Sequence, residues 1–140
     1  MPGGFSNFTE NKVLEHIFPG PPWSPGAPRI GLCTANPTDV GTGAACFEVS
    51  NVDTNYARVL TAPDDWELSE TTAGIVYNKN EIEFNSPSGD WGLIKYFAIL
   101  NSSIYGQGDM LIYGLLDPEI EIVVGSIPRF SPHAMRILLE

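Results

Sequence analysis

The sequence predicts a mainly β protein, an antiparallel β-sandwich or barrel of about eight short strands with one short N-terminal helix. Three observations predict it. Apolar residues recur in short, often alternating runs from Arg29 to the C-terminus. Turn residues punctuate these runs, and 14 Gly and 12 Pro in 140 residues leave little room for long helices. A strand–helix–strand rhythm is missing, which argues against a doubly wound parallel sheet. The length suits a single domain over residues 1–140, with an N-terminal arm and helix (1–18) and a proline-rich connection (19–28).

The helix is expected after Asn7, a good N-cap residue, with Glu10 three residues on to reach back to the free amides. Phe8, Val13, Leu14, Ile17 and Phe18 then fall along one side, and Pro19-Gly20 stops the helix. So short a helix must cover its apolar side, against its own sheet or against a neighbouring subunit. Residues Pro19–Pro28 (PGPPWSPGAP) cannot enter a sheet interior and form a stiff extended connection. Trp23 at its centre is either a lid on the core or an anchor for a partner.

Strands are expected at Arg29–Thr34, with Ile30 and Leu32 on one face, and at Tyr56–Thr61, with Tyr56, Arg58 and Leu60 opposite Ala57 and Val59. Ile75–Tyr77 and Ile82–Phe84 flank Asn78-Lys79-Asn80 as a hairpin, with Ile82 and Phe84 inward and Glu81 and Glu83 outward. Leu93–Leu100 is almost continuously apolar, as a central strand would be. Met110–Leu116, Glu119–Val124 and Ala134–Leu139 complete the set, and Trp91 is expected to close the mouth of the sandwich.

A net charge of −10 argues against binding a nucleic-acid backbone or an anionic membrane. The N-terminal sequence lacks a basic region followed by an apolar stretch, so the chain is expected to stay in a cytoplasm until assembly. Cys33 and Cys46 read as buried free thiols. His16 and His133 have no Cys or His at metal-ligand spacing, and no metal or cofactor is expected. Asp64-Asp65-Trp66-Glu67 is an acidic turn without the ligand pattern of a Ca²⁺ loop. Gly41-Thr42-Gly43 and Gly106-Gln107-Gly108 lack the Lys-Ser/Thr of a phosphate loop. Glu81, Glu83, Glu119 and Glu121 could serve as a hydrolytic pair only if two of them converged in a cleft; the simpler reading is an acidic sheet face.

An ordered set of segments carries a resemblance. It comprises Gly4-Phe5-Ser6-Asn7-Phe8, Glu10–Phe18, Ile30–Asp39 (IGLCTANPTD), Tyr56-Ala57-Arg58-Val59, Asn80–Phe84 and Gly89-Asp90-Trp91-Gly92 before the strand Ile94–Leu100. The set spans almost the whole chain and resembles a family of small tailed-phage virion proteins, often labelled tail fibre proteins. Cys33 stands where that pattern has Ser, Asn36 where it has Asp, and Asn55 where it has Gly.

The resemblance implies a non-enzymatic virion structural protein with no catalytic residues. The expected role is a capsid cement or decoration protein, a homotrimer on the capsid exterior bound to the major capsid protein. The alternative is a tail fibre or baseplate component bound to tail proteins. A further alternative is a carbohydrate-binding module that stacks sugar on Trp23, Trp66 or Trp91. Partner contacts are expected at Phe5, Phe8, Pro21, Pro22 and Trp23, on the arm and the proline-rich connection.

Overall fold

A computed structural model of the protein describes residues 3–18 and 20–138. Ten strands and one α-helix are defined among them. The main sheet contains β1 (Gly3–Phe5), β2 (Arg29–Cys33), β3 (Val59–Leu60), β7 (Gly92–Leu100) and β8 (Met110–Ile122), in the order β1-β8-β7-β2-β3. A three-stranded sheet orders β10 (Arg136–Leu138), β5 (Ile75–Asn78) and β4 (Trp66–Leu68), and a two-stranded ribbon pairs β6 (Ile82–Glu83) with β9 (Arg129–Phe130). All pairings are antiparallel. The layers are sandwich-like and do not close into a barrel.

β7 is the central strand that its apolar run predicted, flanked by β8 and β2. Alternation sends its side chains to two different cores. Phe97 and Ile99 join Ile30, Leu32, Ile82, Phe84, Trp91 and Ile137 in the main core, which lies between the large sheet and the two small ones. Ala98 and Leu100 join Cys33, Cys46 and Met110 in a second cluster on the opposite face. This second cluster is why β2 is buried along both faces, including Gly31 and Cys33, rather than on the Ile30 and Leu32 side alone. Trp91 is buried, and its indole N–H donates to the Thr54 carbonyl at 2.8 Å.

The second face hides an ion pair. The Arg58 side chain has 0% and the Glu48 side chain 4% of its surface exposed. Arg58 Nη2 lies 2.8 Å from Glu48 Oε1, and Nε donates to Oε2 at 3.0 Å. The remaining donors are also satisfied: Nη2 by the Gly43 carbonyl at 3.1 Å, and Nη1 by Ser102 at 2.9 Å and Gln107 at 3.0 Å. Tyr56 Oη donates to Glu48 Oε2 at 2.5 Å and accepts the Leu32 amide at 3.0 Å. Gly31 makes room for this group, because a Cβ there would lie 3.0 Å from Glu48 Oε2 and 3.1 Å from Tyr56 Oη. The two Gly-x-Gly segments meet here as well. The Gly43 amide donates to the Gly108 carbonyl at 3.0 Å, an approach that a Cβ on Gly43 would block.

Several sequence expectations give way to tertiary structure. Tyr56–Thr61 is a strand only at Val59–Leu60, because Tyr56 and Arg58 are committed to the ion-pair group. Asn78-Lys79-Asn80 does not close a hairpin. Asn78 is fully buried, its amide donates to the Asn80 and Ser131 carbonyls, and its Oδ1 accepts the Met135 amide. This corner carries the chain from the three-stranded sheet to the two-stranded ribbon. Ile82 and Phe84 do face inward and Glu81 and Glu83 outward. Met110–Leu116 and the expected strand Glu119–Val124, as far as Ile122, merge into the single strand β8, interrupted where residues 116–119 lie opposite Lys95 alone. β1, β4 and β9 have no counterpart in the sequence reading.

The ion-pair group generates two predictions. Arg58→Ala strands a buried carboxylate and is expected to cost about 3–5 kcal/mol, seen as a lower urea midpoint; an unchanged midpoint would count against the network. Burial, and then the adjacent Glu48 charge, push the Tyr56 hydroxyl well above its ordinary value of 10.0. Its contribution is therefore complete below about pH 10, where unfolded tyrosine ionises, and is lost as pH rises beyond that value. Tyr56→Phe should make the alkaline fall in stability shallower, measured as unfolding free energy between neutral pH and pH 11.

Candidate partner-binding surface

The N-terminal elements build one face around an apolar pocket. Helix α1 (Asn7–Ile17) is capped by Ser6, whose Oγ accepts the Thr9 amide at 3.2 Å, so the cap falls one residue before the expected Asn7. Ser6 directly follows β1, and its own amide donates to the Leu111 carbonyl at 3.0 Å. The next amide, Asn7 N–H, donates to the Asp39 carbonyl at 2.8 Å. Consecutive backbone amides thus tie the junction of edge strand and helix to β8 and to the loop that holds Asp39. The helix closes at Phe18, whose amide reaches the Leu14 carbonyl at 2.9 Å; Pro19, the expected stop, lies outside the described residues.

Between α1, the proline-rich connection and the two sheets lies an apolar pocket of about 370 Å³. Phe5, Val13, Trp23, Pro25, Trp66 and Leu111 line it, with Ile99 and Ile137 of the main core at its base. An irregularity in β8 contributes: Ile99 faces Ile112 while Leu100 faces Met110, so Leu111 is the extra residue, and both Leu111 and Ile112 line the pocket. The one polar side chain on its wall is Thr9, whose hydroxyl is hydrogen-bonded to Ser6 at 3.3 Å.

The predicted contact residues are placed as follows. Phe5 and Trp23 line the pocket, and Phe8 meets Trp23 edge-on with ring centroids 6.3 Å apart. Trp23 is half-buried, folded back over the pocket as a lid. Pro21 and Pro22 are exposed and do not line the pocket. The rest of the helical stripe is what the sequence reading did not assign. Leu14, Ile17 and Phe18 are 53%, 68% and 63% exposed. The apolar side of α1 is therefore covered by its own sheet only along Phe8, Thr9 and Val13.

The remaining candidates separate on geometry. Trp91 is buried and unavailable for stacking, which corrects its place among possible sugar-binding residues. Trp66 donates its indole N–H to Thr61 Oγ1 at 2.9 Å and shares the apolar pocket with Trp23. Asp65 accepts the Ala62 amide at 2.8 Å and the Asn80 side chain at 3.0 Å, which hold its carboxyl below the usual range and fix a turn. His16 is exposed on α1, and His133 is exposed in a turn with Nε2 against Glu67 Oε1. Cys33 and Cys46 are free and buried; a hydrogen bond to Cys46, followed by burial, pushes the Cys33 thiol up, away from reactivity. Glu81, Glu83, Glu119 and Glu121 are all exposed, with Glu81 paired to Arg129 at 3.2 Å. Among the described residues no group of three or more His, Cys, Asp or Glu side chains could hold a metal, and no helix is long and apolar enough to cross a membrane.

The family model described as Podophage GP4 fiber I protein gp80 matches residues 4–137. No curated protein matches the chain.

Exposed and half-buried members of this face should respond differently to substitution. Ile17→Asp and Phe18→Ser are expected to change stability by no more than about 0.5 kcal/mol. Trp23→Ala removes a lid that is packed on one side and should cost roughly 1–2 kcal/mol, less than a core truncation. Thermal or urea unfolding of the three variants separates them; equal losses would mean that the helix end is packed.

Proposed function

This chain belongs to the family described as podophage GP4 fiber I protein gp80, and from that premise we propose that it is a fibre component of a phage tail, acting by contact alone. The match over residues 4–137 carries the reading, since it covers nearly the whole chain and the family is one of phage virion structural proteins. That assignment is to a virion-associated, non-enzymatic structural role. The family's fibre description favours the tail over the capsid-cement position expected at first.

The open side of α1 is the contact surface that this role requires. Leu14, Ile17 and Phe18 stand exposed along the C-terminal turns of α1, an apolar strip, while the half-buried Trp23 packs edge-on against Phe8 in the first turn of the same helix. We assign it to a neighbouring tail protein. A sugar is a poor occupant for the pocket beneath, since its one polar wall side chain is already hydrogen-bonded. The chain is further read as a homotrimer, a state in which weak contacts repeat around an axis and gain avidity.

Imaging of intact particles tests the position. Density for this chain on the tail at low copy number is expected; density at every capsomer junction would overturn the fibre reading in favour of a cement. Incorporation of Ile17→Asp and Phe18→Ser into particles tests the surface. Reduced occupancy of these folded variants is expected, whereas unchanged occupancy would place the contact elsewhere.

A further inference from the structure

We propose that Cys33 and Cys46 are a modification site: a small disulfide oxidises them to an intramolecular disulfide, with Cys46 the attacking thiol and Cys33 the one that completes the bond.

Geometry brings the two thiols together and holds them there. Cys33 ends β2, and its backbone bridges that of Glu48, two residues beyond Cys46. Two hydrogen bonds bracket the bridge: the Thr34 amide donates to the Phe47 carbonyl at 2.9 Å, and the Val49 amide to the Leu32 carbonyl at 3.0 Å. Phe47, with a φ of 57°, stands exposed, while Cys46 turns inward and shares a hydrogen bond with Cys33. The chain before Cys46 is equally fixed. Thr42 and Ala45 exchange amide–carbonyl hydrogen bonds at 3.2 and 3.1 Å, and the Gly43 carbonyl accepts Arg58 Nη2. Thiols in hydrogen-bond contact need only a small further approach to meet the geometry of a disulfide.

The two thiols differ in access. Both are buried, but Cys46 lines a pocket of about 370 Å³ walled by Gly43, Ala44 and Ala45 on one side and by Tyr105 and Gly106 on the other. Cys33 does not line it. The hydrogen bond from Cys33 holds the Cys46 thiol below its ordinary value of 9.0, against the effect of burial, and the charge of Arg58 also lowers it. Cys46 is therefore the sulfur that ionises first and that a small molecule in the pocket meets. Its thiolate attacks the small disulfide, and one small thiol leaves. Cys33 then attacks Cys46 Sγ of the mixed disulfide and releases the second. The protons of both cysteines end on the two small thiols, so the protein loses two electrons and the small disulfide gains them.

The new bond closes the loop from Cys33 to Cys46, which holds Asp39. The Asp39 carbonyl accepts the Asn7 amide at the start of α1, so closure braces the base of the contact face. The value of that bracing rests on the virion reading; the thiol chemistry does not.

The test treats the purified native chain with hydroxyethyl disulfide, blocks the remaining thiols and maps the peptides. A Cys33–Cys46 cross-link is expected, with a melting temperature raised by roughly 5–10 °C, and dithiothreitol should reverse both. Cys33→Ser should trap one small thiol on Cys46, whereas Cys46→Ser should leave Cys33 unmodified in the folded chain. Cys33→Ala serves if Cys33→Ser does not fold. Two thiols that survive the treatment until the chain is unfolded would overturn the site, as would separate adducts on both cysteines without a cross-link. An adduct on Cys33 in folded Cys46→Ser would overturn the order of attack, and a cross-link with no change in melting temperature would overturn the bracing. A chain that cross-links as expected but never enters particles would count against the virion reading alone.

Discussion

A guanidinium removed from water must find acceptors for its donors, and Arg58 finds them on several separate pieces of chain. Glu48 supplies the charge, while carbonyls of Gly43, Ser102 and Gln107 supply the rest. That demand explains features that otherwise look unrelated. Gly31 is required in a central strand because the carboxylate and Tyr56 hydroxyl lie against it. The two Gly-x-Gly segments touch because both help enclose the same side chain. The loops around residues 34–47 and 101–109 thereby become a cover for Cys33, Cys46, Ala98, Leu100 and Met110. A buried ion pair is weak evidence of net stability, but its directionality specifies which loops meet.

Sequence patterns were most legible where burial alone decides structure. The apolar run Leu93–Leu100 became the central strand, and the in-out order at Glu81–Phe84 was followed side chain by side chain. Legibility failed where a polar side chain overrode the pattern. Asn78 looks like turn chemistry, yet its fully buried amide ties Asn80, Ser131 and Met135 together. Tyr56 and Arg58 alternate as a strand would, but their partners lie across the fold. The short strands β1, β4 and β9 are two or three residues long and carry no period that a sequence could display.

The candidate partner-binding surface was legible in part for the same reason. Aromatic residues in an arm and a proline-rich stretch mark a face, and Phe5, Phe8 and Trp23 do come together there. Which turns of α1 remain uncovered depends on how far the sheet extends beneath it, and periodicity does not reveal that. The extra residue Leu111 is equally silent in sequence, since a bulge is defined only by the register of two strands.

Ser6 sits at the single junction between an edge strand and a helix, and its amide and that of Asn7 are fastened side by side to Leu111 and Asp39. In a particle component this joint decides how mechanical load is carried. Force applied to the helix by a neighbour reaches two adjacent hydrogen bonds together before it reaches the strand beyond. The β1–β8 ladder is then stressed only after the joint yields, so the N-terminal elements behave as a stiff bracket rather than as a tether.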